Sequence, residues 1–216
     1  MEKNISKLQC KKFGNLKITK FVIILSFLCA FSIENLNAQN KNLNVVEEFE
    51  LTDEELKAFK QTTRDKISEL ETCIKIIGDK KYSSIKKKKS IETALKLFIP
   101  DAKMQVSSLR NGRVSVNTFP METYFMRLKS LPYSKVKISF YDLAYISDFQ
   151  KGADGKYYAT AFIFQKFEGF YGDNLSYEDK TQKTIDITLE LREDPFFKKK
   201  RWVILLGDVK VTETKK

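Results

Sequence analysis

Histidine is absent from all 216 residues, and that absence decides much of the available chemistry. A histidine general base, a Ser-His-Asp or Cys-His nucleophile system and histidine-ligated zinc or iron are all excluded. Carboxylates, phenols, amines and a few thiols remain. Asp173, Glu178 and Asp179 cluster and offer the oxygen ligands calcium takes, yet they match no EF-hand spacing. Two basic runs stand out: Lys86, Lys87, Lys88 and Lys89, then Lys198, Lys199, Lys200 and Arg201. The first reads as a solvated helix face, the second as solvated turn residues; an anion-binding patch is the alternative. No Gly-x-Gly-x-x-Gly or P-loop pattern occurs, so no nucleotide cofactor is implied, and no other cofactor is called for.

The first segment reads as an address. Six lysines precede residue 21, against the single acid Glu2. An apolar run, 21–33, is followed by a polar stretch containing the small residue Ala38. That pattern predicts a secretory signal peptide over 1–38, cut after Ala38, and a periplasmic or secreted protein. A retained membrane anchor is the alternative, although thirteen residues span only about 20 Å of helix. Lipidation at Cys29 is disfavoured by the large Leu28 before it. Cleavage would remove six lysines, two glutamates, Cys10 and Cys29, leaving a net charge of +7 and the lone Cys73. One thiol forms no internal disulfide, so a domain of this size must rely on its core.

The elements that must position any chemistry follow. Residues 39–51 read as a flexible linker and 52–216 as one domain. Thr52 with Glu55 fits a capping box, and Asp53 and Glu54 suit the positive end of a helix. Leu56, Phe59, Thr63, Ile67, Leu70, Ile74 and Ile77 recur at three and four, so a helix of about seven turns should end near Gly78. Cys73 lies beside this stripe and reads as a buried, inert thiol. A second helix is expected from Ser84 to Phe98, with Ile85, Ile91, Ala94, Leu95 and Phe98 apolar and Pro100 marking its end.

After Asp101 the period becomes two. Strands over 102–109 and 113–117 meet at Asn111-Gly112, a two-residue hairpin turn. Residues 119–130 revert to a helical pattern, with Pro120 in the first turn. Strands then follow around Val136, Ile138 and Phe140, over 156–168, around Ile185–Leu191 and over 202–209, with 169–180 as a looser connection. Strands 156–168 and 202–209 are apolar on both faces, so both faces should be covered. Helices gathered at one end of an antiparallel meander predict an α+β fold, a curved antiparallel sheet wrapped around N-terminal helices.

The stretch Ala94-Leu95-Lys96-Leu97-Phe98-Ile99-Pro100-Asp101-Ala102, the hairpin at Asn111-Gly112 and the helix over 121–131 resemble the nuclear transport factor 2-like superfamily, also called SnoaL-like or cystatin-like. The resemblance in element order covers about 52–212. It implies a conical half-barrel, a pocket between sheet and helices, and homodimerisation through the outer sheet face. Dehydratases of that superfamily lean on histidine, which this chain lacks. Its isomerases use an Asp base and a Tyr/Asp oxyanion hole in an apolar pocket. By that resemblance Asp101, Tyr124 and Asp142 are the catalytic candidates, with Tyr141 of the right type. Asp101 falls on the motif, where it also suits capping the helix-to-strand turn. Asp142 follows Tyr141 on a strand, so the two should point to opposite sides.

The combined expectation is an exported, non-enzymatic binding or interaction module of the cell envelope. Its partner would be a protein or a small apolar ligand, with no nucleic acid. The alternative is a small-molecule isomerase or lyase, which needs an open apolar pocket of ~300 Å³ holding a carboxyl of raised pKa beside a tyrosine. A third expectation is peripheral contact with an anionic envelope surface through the two basic runs.

Overall fold

The structure, a computed structural model, describes residues 50–215. The expected signal segment 1–38 and nearly all of the linker lie outside the described residues. Leu51, assigned to the linker, does not belong there: it packs against the core, and its amide donates to the Tyr157 hydroxyl at 3.2 Å.

Helix α1 (Asp53–Gly78) starts where the capping box requires. The Glu55 amide donates to Thr52 Oγ1 at 3.3 Å, and the Thr52 amide donates to Glu55 Oε2 at 2.8 Å. The inner part of its stripe (Thr63, Ile67, Leu70, Ile74 and Ile77) is buried, with Cys73 beside it. Burial pushes the Cys73 thiol up, as expected of an inert cysteine.

Helix α2 (Ser84–Leu95) is one turn shorter than its apolar pattern suggested. Leu97 and Phe98 leave the helix to pair with the sheet: Leu206 N–H donates to the Leu97 carbonyl, and Phe98 forms a parallel bridge to Leu206. The assignment of its faces also needs correcting. Ile85 is 83% exposed, whereas Lys87, read as solvated, is 5% exposed. The buried positions are Lys87, Ser90, Ile91 and Ala94. The helix is therefore rotated so that an aliphatic lysine stem, rather than Ile85, meets the protein.

Strands β1 (Lys103–Arg110) and β2 (Arg113–Pro120) form the expected hairpin. Asn111 and Gly112 both take positive φ, 50° and 74°, as a primed turn requires. Helix α3 (Met121–Lys129) follows, with Pro120 as its N-cap rather than inside its first turn. Met121, Tyr124, Phe125 and Leu128 form its buried side.

Strands β3 (Lys135–Ile146), β4 (Gln150–Lys151), β5 (Tyr157–Tyr171), β6 (Asn174–Glu193) and β7 (Lys200–Lys215) complete the chain. The sheet order is β2-β1-β7-β6-β5-β3, with β4 beside β5. The architecture is α+β. The sheet is mixed rather than wholly antiparallel, because β1 lies parallel to β7 through Met104 and Val209. The meander order was readable from successive strands, but the return of β7 beside β1 is a long-range pairing that no local signal encodes.

Two long strands extend beyond their expected limits. The supposed loop 169–180 is mostly strand, with a two-residue turn at Gly172 (φ 60°) and Asp173 between Tyr171 and Asn174. Lys200 and Arg201, read as turn residues, open β7 instead. The outer face of β5 is not sealed: Tyr158 is exposed, and Phe162 and Phe164 are half-buried beneath the exposed Tyr145 and Tyr141. Ring centroids in those two pairs lie 6.2 and 5.7 Å apart.

Gly169 allows a close approach. A methyl group there would sit 2.7 Å from the ring of Tyr133, which stacks on Phe167 and Tyr171. Gly169→Ala is expected to lower stability by about 1–3 kcal/mol through displacement of that ring. Chemical denaturation measures the loss, and an unchanged midpoint would count against the packing described.

Candidate functional site

The inner row of β6 carries the chemistry. Counting by two back from the core residues Leu189, Ile187 and Ile185 reaches Lys183, Thr181, Asp179 and Tyr177. Lys183, Thr181 and Asp179 are 2%, 2% and 4% exposed. Apolar residues would be the ordinary occupants of such a row.

These four residues share a cavity of about 280 Å³ with residues of β1, β2, α3, β3 and β5. Its apolar lining includes Phe119, Leu128, Leu131, Ile138 and Phe167, and Arg110 and Arg127 also reach it. Arg127 lies over the Phe119 ring at 4.5 Å. Tyr133, Phe167 and Tyr177 form an aromatic chain, with centroids 5.9 and 5.8 Å apart.

A string of hydrogen bonds fixes the polar wall. The Leu109 amide on β1 donates to the Tyr177 hydroxyl at 3.1 Å. Tyr177 in turn donates to Asp179 Oδ2 at 2.5 Å. Thr181 Oγ1 makes a longer contact, 3.4 Å, with Asp179 Oδ1. Burial pushes the Asp179 carboxyl up, while the donated hydrogen bonds and the charge of Lys183 pull the other way. Burial and the bond to Asp179 push the Tyr177 phenol up to about 12.

Lys183 sits at a β-bulge, where the β6–β7 register shifts between Gln182 and Lys183. Among the described residues, its Nζ has a hydrogen-bond contact only with the thioether sulfur of Met104, at 3.8 Å. A thioether is a weak acceptor for an ammonium group. Desolvation lowers its pKa from 10.5 to about 8, against the opposing charge of Asp179.

The sequence-derived candidates fare unevenly. Tyr124 lines the cavity, and burial pushes its phenol up. Asp101 does not reach it: it is exposed in the turn before β1 and borders a separate, broader depression with Asp148, Asp186 and Asp208. Asp142 is exposed on β3, and so is Tyr141, because a bulge between Phe140 and Asp142 breaks the expected alternation. The acidic cluster also separates. Asp179 faces inward, while Glu178 pairs with Lys166 at 3.3 Å on the other face. Among the described residues no three metal-ligating side chains come together.

The two basic runs differ: the first is interrupted by a buried residue, and all four residues of the second are exposed. Lys86, Lys88 and Lys89 are exposed but Lys87 is buried. Lys86 lies over the Tyr82 ring at 4.4 Å. Lys198 pairs with Glu193 at 3.6 Å, Lys199 is exposed, and Arg201 stands opposite Arg192 on β6.

The sequence marks Asp179 only as a member of an acidic cluster in a loop, and its inward place on a strand beside Tyr177 and Lys183 comes from the structure. The period of two, continued from Leu189, was the available signal. Comparison with known protein families, with curated proteins and with solved structures finds no match.

The buried lysine makes stability pH-dependent. Its folded pKa of about 8 lies below the unfolded value of 10.5, so the unfolded chain binds more protons between them. Stability therefore rises with pH across that interval. Relative to Lys183→Met, the native protein should gain about 2 kcal/mol between roughly pH 7.5 and 9.5. Paired denaturant titrations test this, and parallel pH profiles would contradict the burial of a titrating amine.

Proposed function

We propose that this protein is a small-molecule-binding protein of nuclear transport factor 2-like architecture. Its ligand has a mostly apolar body and a polar head that meets the wall of Tyr177, Asp179 and Lys183. One observation carries this reading: a cavity of about 280 Å³ lined by aromatic and aliphatic side chains and reached by the buried Asp179 and Lys183 of β6. Pockets that fix small ligands combine these two features. The sheet order and the three helices support the architectural part, as does the Asn111-Gly112 hairpin. Export and a place in the cell envelope rest on the N-terminal sequence alone. The outer aromatic pairs on β3 and β5 support a protein partner or second copy on that face.

A second reading, a proton-transferring isomerase or lyase, is favoured by one observation. Asp179 is a cavity carboxyl raised by burial, beside a tyrosine. It takes the place that Asp101 and Asp142 do not fill. Because Tyr177 already donates to Asp179, stabilising a developing oxyanion would fall to Tyr124 or Lys183.

The test uses 2-naphthalenemethanol, an apolar alcohol small enough for the cavity, followed by ligand-observed NMR. Saturable binding is expected. Leu131→Trp, which adds a bulky ring to the lining, should weaken it by about tenfold or more. A folded protein that binds neither this alcohol nor a panel of apolar carboxylates would overturn the reading.

A further inference from the structure

Lysine is rarely found fully buried without a partner able to neutralise its charge. Lys183 is 2% exposed, and Asp179 acts on it through space without a direct ion pair. Its strand neighbours in register are Ile163 and Val211, and Ile185 follows it on the inner row. The thioether contact from Met104 leaves the nitrogen without a carboxylate or carbonyl acceptor among the described residues. By contrast, Lys166 and Lys210 of the sheet, and Lys156 just before β5, each meet an acid within 3.3 Å. Lys183 thus differs from them in both surroundings and partner, and it lines the cavity.

We propose that Lys183 is a carbonyl-capturing amine, and that the pocket takes apolar aldehydes or ketones as imines on its Nζ. This rests on the ligand-binding reading and names the ligand class. The chemistry requires a neutral amine with a free lone pair. Desolvation favours it, lowering the amine from the ordinary 10.5 to about 8. Near neutral pH the neutral fraction then exceeds that of an ordinary lysine by roughly two orders of magnitude.

The nitrogen lone pair attacks the carbonyl carbon, forming the C–N bond and breaking the C=O π bond. The proton released from nitrogen passes to the oxygen. The carbinolamine then loses water: its hydroxyl leaves with the remaining N–H proton, and a C=N bond forms. One carbonyl and one amine become one imine and one water, with no change in oxidation state. Thr181 and Asp179, next along the same inner row, supply a hydroxyl and a carboxyl on the face where these protons move. The aromatic chain of Tyr133, Phe167 and Tyr177 would hold the apolar body.

The probe is 2-naphthaldehyde, with sodium cyanoborohydride to fix any imine as a secondary amine and peptide mapping to locate it. Labelling of Lys183 is expected on the order of tenfold or more faster than at exposed lysines at neutral pH. Excess 2-naphthalenemethanol should suppress it, and Lys183→Arg and Lys183→Met should abolish the preferential adduct. Circular dichroism confirms that both variants fold; should one fail, the other carries the comparison. If the alcohol binds but Lys183 labels no faster than surface lysines, the proposal is overturned while the pocket reading stands. If neither the alcohol nor the aldehyde enters the protein, both fall together.

Discussion

The inner face of β6 sets the terms for the rest of the structure. A polar atom moved out of water costs several kcal/mol unless something bonds to it. Along one strand face, Leu189, Ile187 and Ile185 meet that constraint by being apolar. Beyond them Lys183, Thr181, Asp179 and Tyr177 meet it only in part, through mutual hydrogen bonds and an adjoining cavity. The strand changes character where the cavity lies against it.

The cavity depends on how the sheet comes together at that end. Among the described residues the last pairing of strand β7 is Lys215 opposite Lys180. Past that point β6 runs on without it, and β1 is reached instead through Tyr177 and the Leu109 amide. Side chains also tie β1 to β7: Gln105 accepts from the Val211 amide at 2.9 Å, and Thr214 donates to Ser107 at 2.7 Å. The parallel contact at Met104 and Val209 is thus extended by side-chain bonds rather than by a continued backbone ladder. Removing Tyr177 would cut the wall of the site and a tie between strands at once.

Much of the fold was legible because its signals are local. A capping box, a long stripe at three and four, and an Asn-Gly pair each state a backbone preference within a few residues. The site was less legible for equally physical reasons. Gly169, Gly172, Asp173 and Asn174 are strong turn formers, yet Gly172 and Asp173 alone make the turn. At Gly169 the Tyr133 ring lies against the backbone, so the glycine serves a close approach within a strand rather than a loop. Asp142 and Tyr141 stand out by residue type and Asp101 by its place on a short motif, and neither signal reveals a bulge or an exposed corner. Lys87 and Lys183 look alike as letters among many lysines. Their burial follows from helix rotation in one case and strand parity in the other.

The two margins of the sheet are treated differently. At β3 the Phe140 amide is already taken by Glu71 of helix α1, at 2.8 Å. Two bulges there also interrupt the regular comb of donors and acceptors. At β2 most residues are exposed, and among the described residues no comparable side-chain bond caps the backbone. A neighbouring molecule therefore finds one receptive margin rather than two. Lateral accretion by strand addition would stop at a pair joined β2 to β2, because filament growth needs a donor side and an acceptor side on every copy.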